Sequence, residues 1–488
     1  MKALLNKYKD LPVQMKASLW FLLCAFLQKG VSFFTTPIFT RLLTTEEYGQ
    51  YSVFNSWYSI VAVFVSLNLS YGVYAQGLVK FEDERNQFIS SLQGLTVTLV
   101  FVWTIIYLIF HDFWNALFSL TTVQMLAMIA MIWTTAVFNF WSMEQRTELK
   151  YRALVSVTIL VSLAKPLLGI FLVIHCENKV TARILGLVLV ELIVYVGMFF
   201  IQIFRGKKFF FEKFWKYALT FNLPLIPHYL SSSVLNSADR IMIRDIVDSG
   251  AAGIYNLAYN VSQIMTMFNM ALMQTIEPWL LKKIKMRRLD DISGVAYPAL
   301  IIIAILNITL IALAPEVVAI FAPEEYCDAI WVIPPVTISV YFMFSYNFFS
   351  VFEFYYEKTN FIAIATIAGA VLNVILNYFC IRRWGYLAAG YTTVICYIVY
   401  AVMHYCFMYK ICQEKFKGKH VYSVKILMLI TGVFLLLCIG FMILYQSIVL
   451  RYSFIVVILI VLIIEKKKII DIVSKLVDVR KFNRGIIS

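Results

Sequence analysis

The chain has 488 residues, of which 61% are hydrophobic and 14% charged, with a mean hydropathy of +0.80. Soluble globular chains lie near ~45–50% apolar and ~25% charged, so the composition excludes a soluble enzyme and predicts a polytopic membrane protein. The net charge of +14 is not a nucleic-acid footprint; it is distributed as membrane topology demands.

The N-terminal stretch "MKALLNKYKDLPVQMK" is basic and amphipathic. It has no apolar core followed by a small-residue cleavage site, so it reads as no cleaved signal peptide. A membrane-crossing helix needs ~20 mainly apolar residues. Fourteen segments are predicted to cross: 17–40, 48–73, 88–110, 117–141, 153–175, 182–204, 217–238, 251–275, 293–314, 329–352, 360–381, 385–409, 424–446 and 450–464. The last is short, and the seventh is weakly apolar, containing "LPLIPHYLSSSVLNSADR".

Placing the N-terminus in the cytoplasm puts 32 of the 42 lysines and arginines on the cytoplasmic side. Eight fall on the opposite side, and Lys29 and Lys165 lie inside spans. That is a strong positive-inside bias, and it predicts that both termini are cytoplasmic. All loops are short, so no soluble domain is expected. No GxxxxGK phosphate loop occurs, so transport would run on substrate or ion gradients rather than ATP. The eight cysteines form no CxxC pair, which indicates neither a zinc site nor a redox motif. No cofactor or metal is expected.

The first span ends in "TRLLTTEEYGQYSVF" and the seventh in "IRDIVDSGAAGIYNLA". Both place Gly-x-Tyr eight or nine residues after an arginine: Arg41 before Gly49 and Tyr51, Arg244 before Gly253 and Tyr255. Six spans separate the copies, an even number, which predicts a parallel internal repeat about an axis along the membrane normal. The expected organisation is a six-helix bundle at 1–205, an interfacial cytoplasmic linker at 206–217, and a second six-helix bundle at 218–412. Two extra helices and a basic tail fill 413–488. The linker region, "FRGKKFFFEKFWKY", would lay its rings among lipid headgroups and its lysines over anionic lipid.

Lys29 lies near the middle of the first span, where a charge facing lipid costs roughly 2.5–3.5 kcal/mol. At 100° per residue, Lys29, Ser32, Thr36 and Thr40 fall within about an 80° arc, a single polar stripe. The seventh span repeats the spacing with Tyr229, Ser233, Asn236 and Arg240, after Pro224 and Pro227. Lys165 precedes Pro166 in the fifth span. Small hydroxyl residues at such positions serve equally as helix–helix contacts. Lysines there point to a wet cavity, and Lys29, Lys165, Arg240 and Arg41 together would favour an anion. Two intramembrane acids, Glu191 and Glu353, are candidate ion-coupling groups that carry a proton or cation, or else simple partners for a lysine. A cationic cavity beside lipid suggests a phosphate-bearing lipid headgroup as cargo.

Fourteen spans, "TRLLTTEEYGQY" after the first and "NSADRIMIRDIVDSGAAGIYNLAY" in and after the seventh resemble the bacterial polysaccharide flippases. These are Wzx-type members of the multidrug/oligosaccharidyl-lipid/polysaccharide exporter superfamily. The resemblance spans the whole chain in topology. It implies an all-helical fold of two six-helix bundles arranged as a V, plus two further helices. It implies a cargo of oligosaccharide repeat units on undecaprenyl diphosphate, moved by alternating access, and a polysaccharide polymerase as a further partner. Sodium or proton coupling is compatible with it. Arg41, Asp239 and Arg240 sit at the family's motif positions, as substrate ligands or as an outer gate. Lys29 resembles, by location, the basic first-helix residue of lipid II flippases. Three rivals remain: a multidrug exporter, a flippase for lipid II itself, and a membrane glycan polymerase. The last would need catalytic residues on a sizeable outside loop, whereas the outside loops are short and His111 and His175 stand isolated.

Overall fold

A computed structural model of the chain describes residues 13–464. Residues 1–12 and the basic tail beyond 464 lie outside the described residues. Within them the chain forms α-helices, short 3-10 turns and no strand. Helices satisfy every backbone N–H and C=O within the segment, as a lipid environment requires.

The helices are α1 (Val13–Leu42), α2 (Thr45–Ser66), α3 (Gly72–Lys80), α4 (Arg85–Ile109), α5 (His111–Phe118), α6 (Thr122–Thr147), α7 (Tyr151–His175), α8 (Lys179–Gly206) and α9 (Glu212–Asn222). Then come α10 (Ile226–Ile246), α11 (Ser249–Ser262), α12 (Ile264–Lys285), α13 (Asp290–Ala312), α14 (Ala314–Phe321) and α15 (Ala329–Tyr355). The last are α16 (Thr359–Trp384), α17 (Ala388–Phe416), α18 (Val424–Ile443) and α19 (Ile448–Ile464).

Among the described residues, ten helical segments are long and apolar enough to cross a membrane. The expected second, seventh, eighth and fourteenth spans are helical but fall outside that set. Their chemistry explains why. α2 opens with "TEEYGQYSVFNSWYS", α10 carries "HYLSSSVLNSADR", the eighth is divided into α11 and α12 at Gln263, and α19 is described over 17 residues.

The chain divides into two units between Ile241 and Met242, inside α10. In the first, α8 is the central helix, packed against α7, α6, α4 and α2, while α1 packs mainly on α7. One apolar cluster of this unit gathers Phe54, Phe118, Met128, Ile132, Ile184 and Val188. A second, toward the end that holds Lys80 and Arg205, gathers Tyr74, Phe88, Leu92, Phe140 and Phe214. In the second unit α15 is central, packed against α17, α11, α13, α12, α14 and α16.

The two units repeat local geometry. Thr44 caps α2 in a capping box: its hydroxyl accepts from Glu47 N at 3.1 Å, and the Glu47 carboxylate accepts from Thr44 N at 2.9 Å. Asp248, 204 residues later, caps α11 by accepting from Ala251 N at 2.7 Å. The α6–α7 link closes with Lys150 N donating to Gln145 O at 2.8 Å and Leu149 at φ +55°. The α15–α16 link, 208 residues later, closes with Lys358 N donating to Glu353 O at 2.8 Å and Glu357 at φ +55°. Ring packing repeats as well. Phe138 stacks on Tyr195 at 4.7 Å, and Tyr346 stacks on His404 at 5.2 Å.

Candidate functional site

The polar stripe of α1 holds its hydroxyls against its own backbone. Thr35 and Thr36 donate to Ser32 O at 3.2 and 2.9 Å, and buried Thr40 donates to Pro37 O at 3.1 Å. Such bonds satisfy a hydroxyl without needing a neighbouring helix. Lys29 differs. It is exposed near the middle of α1, and no acidic side chain among the described residues pairs with it. Ser32 is exposed beside it, and Thr36 is half-buried. Arg41, at the end of α1, is exposed and donates to Pro37 O at 2.9 Å.

Lys165 is placed otherwise. Its ammonium donates to Glu191 Oε1 at 2.6 Å, across the α7–α8 contact. The other carboxylate oxygen of Glu191 accepts from Thr134 at 2.5 Å and from Thr135 at 3.4 Å, and Tyr58 donates to Thr135 at 3.0 Å. Glu191 is 3% exposed. A buried carboxylate needs such a partner and such donors to remain ionised. Of the two readings open for Glu191, the structure thus displays the lysine partner. The positive charge of Lys165 is balanced locally instead of standing free for an anion. Tyr58, Thr134 and Thr135 belong to this network, and sequence reasoning missed them. Their signal was the pair of adjacent threonines in the middle of an apolar span.

On α10, Arg240 is buried and donates to Asn236 O at 2.7 Å, while Asn236 Nδ2 donates to Ser232 O at 2.8 Å. Asp239 is buried at 1% exposure. Tyr229 and Ser233 are half-buried on the same helix, and the Tyr229 ring lies 6.2 Å from that of Tyr71.

Glu353 on α15 is fully buried and lies 2.8 Å from Nδ1 of His404 on α17. The rule that picked out Glu353 also picks out His404 in "YAVMHYCFMYK", an ionisable group inside an apolar span. Arg183 on α8 is held differently again. Its guanidinium lies over Phe39 at 4.1 Å, Tyr48 at 5.1 Å and Tyr51 at 3.5 Å. The Glu-Tyr-Gly-Gln-Tyr run after the first span therefore supplies two rings of an aromatic cage, Tyr48 and Tyr51, and Phe39 of α1 supplies the third.

Near the Lys80–Arg205 end of the first unit a buried polar chain ties three helices. Gln93 Nε2 donates to Gln202 Oε1 at 2.6 Å, Gln202 Nε2 to Glu144 Oε2 at 3.1 Å, and Arg205 to Glu144 Oε1 at 2.5 Å. Among the described residues no three His, Cys, Asp or Glu side chains gather to hold a metal ion.

The fold is that of known transporters. A lipid II flippase in an inward closed conformation matches with a TM-score of 0.63 at 14% identity, covering 88% of this chain and all of that one. An inward-facing multidrug transporter of the multidrug/oligosaccharidyl-lipid/polysaccharide superfamily matches with a TM-score of 0.60 at 14% identity, covering 80% of this chain and 96% of that one. An uncharacterized membrane protein of Haemophilus influenzae is 21% identical over 359 residues, 70% of this chain and 84% of that protein. With ten helices among the described residues long and apolar enough to cross a membrane, these likenesses indicate a multi-pass membrane protein. A family model described as polysaccharide biosynthesis protein matches residues 15–285, more than half of the chain, and the chain therefore belongs to that family, on the fold of the multidrug/oligosaccharidyl-lipid/polysaccharide exporters.

Proposed function

We propose that this protein is a Wzx-type flippase. It moves oligosaccharide units linked to undecaprenyl diphosphate from the cytoplasmic to the outer leaflet of a bacterial cytoplasmic membrane. In this reading the chain crosses fourteen times with both ends in the cytoplasm. Two six-helix bundles rock in alternating access while the lipid tail stays in the bilayer. Family membership supports a polysaccharide precursor as cargo, and the likeness to a lipid II flippase supports a lipid-linked one. A polymerase would take up the flipped units.

The observation that carries the reading is Lys29. It stands exposed on a polar stripe in an apolar helix, without an acidic partner among the described residues, while Lys165 is neutralised by Glu191. A diphosphate is the complement of such a charge, and Arg41 and Arg240 extend the path for it. A cationic drug would be repelled by it, which weighs against a multidrug exporter.

The test is a flip assay in proteoliposomes with an undecaprenyl-diphosphate oligosaccharide. Wild type flips the lipid. Lys29→Ala slows it by about tenfold to a hundredfold, the loss of one charge-assisted contact worth ~1.5–3 kcal/mol. Equal rates in both proteins would remove Lys29 from the site. Transport of lipid II or of a cationic drug in place of this lipid would overturn the cargo.

A further inference from the structure

We propose that Glu353 and His404 form a proton-binding site inside the second unit. Glu353 Oε1 lies 2.8 Å from His404 Nδ1, and the side chains are 0% and 1% exposed. Glu353 Oε2 and His404 Nε2 are both buried and have no hydrogen-bond partner among the described residues. Each half of the dyad thus keeps one unused polar atom away from solvent. Native proteins seldom leave such atoms without a use.

In the first unit the repeated ring contact between the helices forms without a histidine and a glutamate at these positions. Phe138 and Tyr346 stand 208 residues apart, and Tyr195 and His404 stand 209 apart. The first unit makes this ring contact with Phe138 on Tyr195, at 4.7 Å and 19° between planes. The second makes it with Tyr346 on His404, at 5.2 Å and 21°. The residue 208 positions before Glu353 is Gln145, which is neutral. At these two positions the first unit therefore carries no ionisable dyad, and its own ion pair between the same helices, Arg205 with Glu144, uses other positions. A buried ion pair is seldom more stabilising than apolar residues of similar volume. The dyad accordingly serves something other than cohesion.

Its surroundings define what it holds. The titratable neighbours are phenols: Tyr346, and Tyr400 with its ring 4.5 Å from the imidazole. Tyr400 in turn shares a hydrogen bond with Thr366 on α16 at 3.1 Å. Farther along α15 the neighbouring groups are neutral, Ser262 of α11, Asn269 of α12 and, through Tyr341, Thr431 of α18, while the charged groups Lys283 of α12 and Asp291 of α13 pair with each other at 2.5 Å. Tyr422 reaches Phe348 O at 3.4 Å. The lysines near the ends of these helices are engaged elsewhere: Lys358 faces Glu414 at 3.9 Å, and the Lys410 ammonium lies 5.6 Å from the Phe361 ring centre. One carboxylate and one imidazole offer too few donors for a metal ion but suit a proton. With one proton shared between Oε1 and Nδ1, and neutral overall, the pair carries no net charge. Loss of that proton to water leaves a buried carboxylate beside a neutral imidazole. Solvent reaches neither group in this conformation, so exchange accompanies opening of the contact between α15 and α17.

Proton binding stands on the dyad alone; its coupling to transport rests on the flippase reading above. Two measurements on the full-length protein in liposomes separate them. Infrared difference spectra across a pH titration report protonated carboxyl groups. Wild type shows a titrating buried carboxyl band that Glu353→Gln abolishes and His404→Gln displaces. Flipping of undecaprenyl-diphosphate oligosaccharide is then compared with and without an imposed proton gradient of either polarity. The ratio exceeds one in wild type and falls to about one in both variants, each checked for native size and melting. A titrating band in a wild type that flips no such lipid supports the proton site and overturns the cargo. A wild type that flips lipid with no such band overturns the proton site, and a gradient ratio unchanged in both variants overturns its coupling to transport.

Discussion

Lys165 and Glu191 form a charge pair whose members do not share exposure: the ammonium side chain is 26% exposed and the carboxylate 3%. Removing the lysine strips the buried Glu191 carboxyl of its charge partner among Thr134, Thr135 and apolar neighbours, a loss that costs about 3–5 kcal/mol. Lys165→Met is therefore expected to lower the melting temperature in detergent markedly. The double variant Lys165→Met with Glu191→Gln restores most of the loss, because no charge remains buried. Equal destabilisation in the single and double variants would show that the lysine stem, rather than its charge, matters there. The same scale shows what a sequence can and cannot reveal. That Lys29, Lys165, Glu191 and Glu353 lie in apolar spans is legible from hydropathy alone. Which lysine is matched is a three-dimensional fact. Residues 165 and 191 sit on different helices, and nothing in their spacing distinguishes Lys165 from Lys29.

At the scale of elements, α8 is held close to its neighbours by the absence of side chains. A Cβ built on Gly186 would lie 2.5 Å from Gly169 Cα and 2.7 Å from Gly169 N, so α7 and α8 approach backbone to backbone. Small residues permit such approach between helices in lipid. Gly197, eleven residues along the same helix, would meet nothing within 4 Å. Gly186→Ala is expected to destabilise by about 1–3 kcal/mol, the usual cost of overpacking. Gly197→Ala is expected to be neutral or to stabilise by up to ~1 kcal/mol, from helix propensity. Melting of the two variants side by side checks this, and a Gly186→Ala protein as stable as wild type would contradict the close approach. Element positions were legible because long apolar runs fix them. The weak segments were less so. α10 carries a polar face through "SSSVLNSADR", and the division of α11 from α12 at Gln263 has no proline or glycine to announce it.

For the whole molecule the strongest sequence argument is the distribution of charge, and it bears most on the helices whose apolarity is weakest. If α2 did not cross, Lys80 and Arg85 would join Arg41 on one side, and every later loop would change sides with them. The bias of 32 against 8 would then blur. Single cysteines on a cysteine-free background test this directly with a membrane-impermeant maleimide. Glu46 at the start of α2 and Lys80 at the end of α3 are both exposed. Glu46→Cys is expected to react in intact spheroplasts, and Lys80→Cys only after permeabilisation. The native Cys176, exposed after α7, and Lys150→Cys, before it, provide the same contrast across a helix whose apolarity is not in question. If Glu46→Cys and Lys80→Cys react from one side while the α7 pair reacts from two, α2 does not cross and the fourteen-span reading fails. If all four behave as expected, α2 crosses despite its polar first half. A polar face on a crossing helix must be turned from lipid toward other helices or water, which is the condition a translocation path for a charged headgroup requires.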